Sequence, residues 1–241
     1  MTRQREFVVF DVAAEYAHYR RPYAITTALT FPLPTRTALC GLIGAITGLA
    51  KNEGLDDLTD GKALIAVRLL TPVRFGHVSL NLIDTKDNRT FRPKAENPHT
   101  IMRYEVIREP RYRVFFAHAD LVPILYDLLR QGQSTYTPCC GLAWMIATFE
   151  GQPQRQVGVE MGGKGSELVA CVTPVRTAAL AGNIAWEPEG VYQRLRMPAE
   201  MRPDRQVTRH EEYLVETTGR PIRAALSTHW RLEDGTFVSP L

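Results

Sequence analysis

Residues 5–12, REFVVFDV, place Val8, Phe10 and Val12 on one side of an extended chain and Phe7 and Val9 on the other. Both sides are apolar, which predicts a strand covered on both faces. Residues 13–34 lose this alternation and read as a long aromatic and basic loop. The loop ends in Pro32-Leu33-Pro34, which holds the backbone extended. Thr35 or Thr37 then caps a helix running to about Ala50, with Gly48 inside it and Asn52 to Gly54 ending it. Gly41, Gly44 and Gly48 recur at spacings of three and four, so they share one helix face, where absent side chains would let the helix lie close to a sheet. The apolar run from Ala38 to Ala50 covers about two-thirds of the roughly 20 residues that cross a bilayer. It therefore predicts a buried helix and no membrane contact.

The pattern then returns to strands at 63–75 and 77–84, makes a polar, proline-containing excursion at 86–100, and resumes strands at 104–118. Residues 119–133 carry apolar positions at 121, 124, 125, 128 and 129 after a capping Asp120, with Pro123 tolerated in the first turn, which predicts a second helix. GLAWMIATFEG, 141–151, predicts another strand. The order strand, helix, strands, helix, strand is the βαββαβ pattern of an α+β, ferredoxin-like fold. Residues 1–151 form this core, and 152–241 form a β-rich C-terminal extension packed on it.

Composition adds little beyond an average globular protein of 241 residues, 44% hydrophobic and 23% charged. Cys40, Cys139, Cys140 and Cys171 form no CxxC pair, and the two adjacent ones close only a strained ring, so all are expected as reduced thiols in a cytoplasm. No secretion signal is expected from the residues at the N-terminus. No metal and no cofactor is expected.

Charge is more informative by type than by sum. The net charge is +3, yet 24 of the 29 basic residues are Arg. Arginine's planar fork suits phosphate and stacks on bases. Eight basic residues against four acids fall in 86–113, and eight against five in 194–231. In the loop, Tyr16, His18, Tyr19, Arg20, Arg21 and Tyr23 interleave rings with cations, a combination that can stack bases and hold phosphates. An aromatic-rich edge strand explains the same residues. At the helix entrance, free N–H groups and the positive dipole end favour an anion beside Arg36, although a Thr and an Arg there also read as a cap and a solvated charge.

GVEMGGKGS, 158–166, satisfies GxxxxGK from Gly158 to Lys164, but Gly165 stands where a Ser or Thr would hold magnesium, and QPQRQ precedes it instead of an apolar strand. A flexible glycine-rich turn is the expectation, not a nucleotide site.

The stretches FDVAAEYAHYRRPYAITTALTFPLPTRTALCGLIGAITGL, HTIMRYEVIREPRYRVFF (99–116) and TYTPCCGLAWMIATFE (135–150) resemble, in order, the CRISPR-associated Cas five proteins, particularly those of type I-B Cascade complexes. The resemblance implies an RRM-like fold with a protruding thumb hairpin at about 86–103. It implies a non-catalytic Cascade subunit that binds the repeat-derived 5′ tag of the CRISPR RNA and caps the backbone filament. Such a subunit docks the large subunit that reads the PAM, and meets target DNA only through the complex. Carried over by position, Tyr16, His18, Tyr19, Arg20, Arg21, Thr35, Arg36 and Thr37 face the RNA, as do Arg89, Arg92, Lys94, His99 and Arg103 of the thumb and Gly141. Cys139-Cys140 departs from the larger apolar residue expected before that glycine.

Some type I-C relatives instead cut the precursor transcript without metal. His18 with Tyr16 or Tyr19 supplies a base and an acid in principle. The ordinary tyrosine pKa near 10 makes a poor acid, and no lysine lies close in sequence to stabilise the phosphorane, so cleavage is the alternative reading.

Overall fold

The computed structural model describes residues 3–22, 27–50, 56–83, 99–162 and 167–241. Its first strand, β1 (Gln4–Ala13), buries both faces. Val8, Phe10 and Val12 enter the main core with Leu39, Ile43 and Leu125. Phe7 and Val9 pack on the opposite face with Phe115, Trp230 and Leu232. A short strand, β2 (Tyr16–Ala17), follows, and then the helix α1 (Arg36–Thr47).

Thr35 caps α1, its Oγ1 accepting the Ala38 N–H at 3.2 Å. The other end departs from expectation. Gly48 is the C-cap, not an interior residue, with φ +80° and its N–H donated to the Gly44 carbonyl. The left-handed turn suits glycine, and a Cβ there would also meet Thr135 Oγ1 at 2.9 Å. Asn52 to Gly54 lie outside the described residues.

The glycine face is corrected too. The buried residues of α1 are Arg36, Leu39, Cys40, Leu42, Ile43 and Ile46, whereas a Cβ on Gly41 would meet nothing within 4 Å and one on Gly44 only Leu49 at 3.7 Å. This face opens onto a groove of about 430 Å³ bordered by Leu49, Leu58 and Tyr136. A side chain added at Gly44 thus has no sheet to press against. Gly41→Ala is expected to raise stability by about 0.5–1 kcal/mol, because it removes unfolded-state freedom without a clash. Urea unfolding checks this, and a lower midpoint would show that the face is packed after all.

The core continues with β3 (Leu64–Leu69), β4 (Phe75–Ile83), β5 (His99–Arg108), β6 (Arg111–Ala117), α2 (Leu121–Arg130) and β7 (Thr148–Gly162). Four strands pair in the order β7-β1-β6-β3, each antiparallel to its neighbour. This is the split βαβ arrangement of a ferredoxin-like, RRM-like sheet. β4 and β5 are a long hairpin inserted between β3 and β6, paired from Phe75↔Ile107 to Ile83↔His99, in a separate sheet with β2. Most of the expected thumb, 86–98, lies outside the described residues, and its end, His99–Arg103, belongs to β5.

α2 is capped differently from expectation. Asp120 makes no side-chain cap bond. His118 Nδ1 instead accepts the N–H groups of Asp120 and Leu121, at 3.1 and 3.2 Å. The buried stripe is Leu121, Val122, Leu125 and Leu129, and Ile124 is 47% exposed. The expected strand at 141–151 begins only at Thr148. Before it, Gly141 at φ +100° turns the chain, and Pro138, Cys140 and Leu142 pair through their backbones with Ala147 and Met145. β7 then runs well past the expected boundary at 151. Gly158 lies inside it rather than in a flexible turn: a Cβ there would come within 2.5 Å of the Phe7 ring, so this glycine makes room for core packing. Residues 163–166 lie outside the described residues.

The remaining strands are β8 (Leu168–Cys171), β9 (Val175–Arg176), β10 (Leu180–Ala185), β11 (Tyr192–Met201), β12 (Val207–Glu216), β13 (Ile222–Leu226), β14 (Thr228–Leu232) and β15 (Phe237–Val238). Five of them prolong the core sheet to nine strands, in the order β10-β13-β8-β15-β14-β7-β1-β6-β3. β11, β12 and β9 form a separate three-stranded sheet beside α1. Asp60 fastens it, accepting two bonds of 2.9 Å from Arg176 on β9 and one of 2.7 Å from Arg209 on β12. Burial alone would raise the Asp60 pKa, but these arginine bonds outweigh it and hold the carboxyl below its ordinary value. Among the described residues, no helix is long and apolar enough to cross a membrane.

Candidate nucleic-acid interface

The loop between β1 and α1 is built on β5. Its outgoing leg pairs Tyr16↔Arg108 and Ala17↔Ile107, and its returning leg runs beside the same strand through the bridge Ala28↔Tyr104. The legs close on each other by Arg20↔Thr30, Phe31 N–H to Tyr19 carbonyl at 2.8 Å, and Arg21 N–H to Leu29 carbonyl at 2.9 Å. At their junction Arg20 is exposed. Arg21 is half-buried, with Nε bonded to the Thr30 carbonyl at 2.8 Å and its guanidinium over the Phe31 ring at 5.5 Å. A guanidinium already fixed on one edge keeps its remaining N–H groups for an anion.

The other members of the expected cluster divide. Tyr16 is half-buried. His18 is 2% exposed, its Nδ1 2.7 Å from the Glu105 carbonyl and its Nε2 without a partner among the described residues. Burial lowers its pKa, partly offset by the Glu105 carbonyl, and the nearby Arg20 charge lowers it further. Tyr19 is 5% exposed against Tyr112 and Cys140, and burial pushes its hydroxyl well above the ordinary range. Of the groups suggested for RNA cleavage, the base His18 and the acid Tyr19 are therefore buried, while the other acid, Tyr16, is half-buried.

The helix entrance is also corrected. Arg36 is 2% exposed and points inward, donating to the Ala63 carbonyl at 3.1 Å and the Ala199 carbonyl at 3.4 Å. A cap on Thr35, itself buried, turns the next side chain under the helix rather than out to solvent. Thr37 is half-buried, its Oγ1 3.0 Å from Thr35 Oγ1. Cys40 lies beside Arg36, and burial raises its thiol to about 11, so it stays protonated.

His99 and Arg103 are exposed on β5, while Arg89, Arg92 and Lys94 lie outside the described residues. Gly141 abuts the loop from the far side. Its position lies so close to the chain that a Cβ would be 1.9 Å from the His18 carbonyl oxygen, and His18 N–H donates to the Cys140 carbonyl at 3.1 Å. The structure thus gathers Arg20, Arg21 and the backbone of Gly141 around one loop, with Arg103 on the strand beneath, and takes Thr35 and Arg36 into the core. Sequence reasoning missed Thr30, Glu105 and Arg108. Glu105 bonds a residue 75 positions away, and no local signal announces such a pair. Arg108 covers Gly76, where a Cβ would be 2.2 Å from its Nε.

No curated protein sequence matches the chain. Solved structures of similar fold include the following three. A crystal structure of a CRISPR protein from Archaeoglobus fulgidus has 13% identity and a TM-score of 0.52 over 97% of both chains. A chain of a CRISPR RNA-guided surveillance complex has 11% identity and a TM-score of 0.54, over 90% of this chain and 91% of that one. A chain of the type III-B Cmr-beta complex bound to cognate target RNA and AMPPnP has 13% identity and a TM-score of 0.53, over 90% and 86%. The family model described as CRISPR-associated protein (Cas_Cas5) matches residues 7–137, from within β1 through the arginine loop and the hairpin to beyond α2. That span is more than half of the chain, and with the split βαβ sheet and the loop seated on its hairpin it establishes that the chain belongs to the CRISPR-associated Cas_Cas5 family.

Proposed function

We propose that this chain is a non-catalytic subunit of a CRISPR effector complex, of type I and specifically I-B. It binds the repeat-derived 5′ tag of the CRISPR RNA, caps one end of the backbone filament and docks the large PAM-reading subunit. Target DNA is met through that assembly. The observation that carries the reading is the exposed Arg20 beside a half-tethered Arg21, on a loop doubly seated on β5 with Arg103 on the same strand. Guide-based effectors leave sequence reading to base pairing, so the protein's task is to grip backbone and shape, for which arginine forks suffice. The cleavage alternative loses support because His18 and Tyr19 are buried.

Binding of a single-stranded RNA carrying the repeat of the native CRISPR locus, measured by anisotropy across a salt series, tests the proposal. The double substitution Arg20→Ala with Arg21→Ala should weaken binding and lower the salt slope by about 1.4, since each single-strand phosphate contact contributes roughly 0.7. The RNA should be recovered intact. An unchanged slope would place the RNA elsewhere, and specific cuts at the repeat would favour the ribonuclease.

A further inference from the structure

One residue holds both legs of the arginine loop. Glu105, in the middle of β5, accepts from His18 Nδ1 on the outgoing leg through its carbonyl, at 2.7 Å. Its N–H donates to the Ala28 carbonyl on the returning leg at 2.9 Å. Its carboxylate Oε1 accepts the Thr30 N–H at 3.0 Å. Thr30 is fully buried and passes the constraint on: its Oγ1 accepts the Tyr19 N–H at 2.8 Å, and its carbonyl accepts Arg21 Nε, also at 2.8 Å. The carboxylate is thus one bond from the residue that sets Arg21 and that stands opposite Arg20.

We infer that the Glu105 carboxylate is a positioning group that locks the arginine loop onto the β4–β5 hairpin, so that Arg20 and Arg21 meet RNA already ordered; this rests on the RNA-binding reading above. Without the carboxylate, the buried Thr30 N–H has no partner and the returning leg loosens. The two arginines then have to be ordered at the moment of binding, at the expense of affinity. The contacts with phosphate, once made, are the same. Loop and hairpin therefore behave as one unit: whatever orients the hairpin orients the two arginines.

The test uses the full chain, the repeat RNA and the variants Glu105→Ala and Glu105→Gln. Glu105→Ala should bind about tenfold more weakly with the wild-type salt slope, because ordering is lost while the phosphate contacts are kept. Amide exchange at Tyr19–Arg21 and Leu29–Phe31 of the free protein should accelerate. Glu105→Gln should restore both, since its amide oxygen accepts the same N–H. A purely structural role would lower the melting temperature of Glu105→Ala and leave affinity, measured well below melting, unchanged; that result overturns the inference. So does a reduced salt slope, or an affinity loss that Gln does not rescue, either of which would make Glu105 act through its charge. If the wild-type chain binds no repeat RNA, the RNA reading itself falls and takes the inference with it. Wild-type binding with an unaltered Glu105→Ala leaves that reading standing and removes the inference alone.

Discussion

Replacing Gly141 by Ala is expected to destabilise the protein by about 3 kcal/mol or more and to damage RNA binding with it. Two independent costs meet at this position. The backbone sits at φ +100°, where a side chain is strained. The added Cβ would lie 1.9 Å from the His18 carbonyl oxygen, which is backbone and has no rotamer to yield. Relief requires separating the 138–147 turns from the loop, which breaks the bond from His18 N–H to the Cys140 carbonyl. The variant should therefore show a large drop in urea midpoint and rapid exchange of the His18 amide. Wild-type stability in Gly141→Ala would mean that the loop and the turns do not touch as described, and that the seat of the arginine loop needs revision.

The second large effect is at Arg36. Arg36→Ala should cost about 3–5 kcal/mol, the order expected when a large buried side chain is truncated and its buried acceptors lose their donor. The guanidinium joins three segments distant in sequence: α1, the Ala63 carbonyl before β3, and the Ala199 carbonyl on β11. Its charge also helps to hold the Asp60 carboxyl ionised, after the larger effects of Arg176 and Arg209. Truncation leaves two buried carbonyls unpaired and a void beneath the helix. Arg36→Met should recover the packing but not the bonds, and so fall between the two, at about 1–3 kcal/mol. Thermal and urea unfolding of both variants check this. An Arg36→Ala protein with wild-type stability and weakened RNA binding would show that the side chain faces solvent, as a helix-entrance cation was first expected to do.

These two positions mark how far the amino-acid pattern can be read. β1, α1, the hairpin strands and α2 were legible because each announces itself within a few residues: alternation on both faces, a Thr cap after Pro34, a stripe at helical spacing. The βαββαβ order then follows from chain order, and the split sheet from the right-handed crossovers available to it. The nucleic-acid reading rested on the rings and cations of 16–23, of which Arg20 is exposed, Arg21 and Tyr16 are half-buried, and His18 and Tyr19 are buried.

What the pattern left open were choices between neighbours a few residues or many apart. His118 rather than Asp120 caps α2, because the ring reaches the free N–H groups and the carboxylate makes no cap bond. Gly48 ends α1 because its backbone can turn left-handed against Thr135, a contact across 87 residues of sequence. The glycines at 41 and 44 face a groove because Leu39, Ile43 and Ile46 claim the sheet side, and one helix has only one side to give it. Local chemistry, then, determined which segments become strands and helices and which loop carries the cations, since those preferences act through adjacent backbone and side-chain periodicity. Tertiary structure alone decided that Arg36 and His18 turn inward, that Glu105 holds the loop, and that the last strands prolong the core sheet to nine. Each of these depends on partners distant in the chain, which come within reach only when the whole sheet has closed.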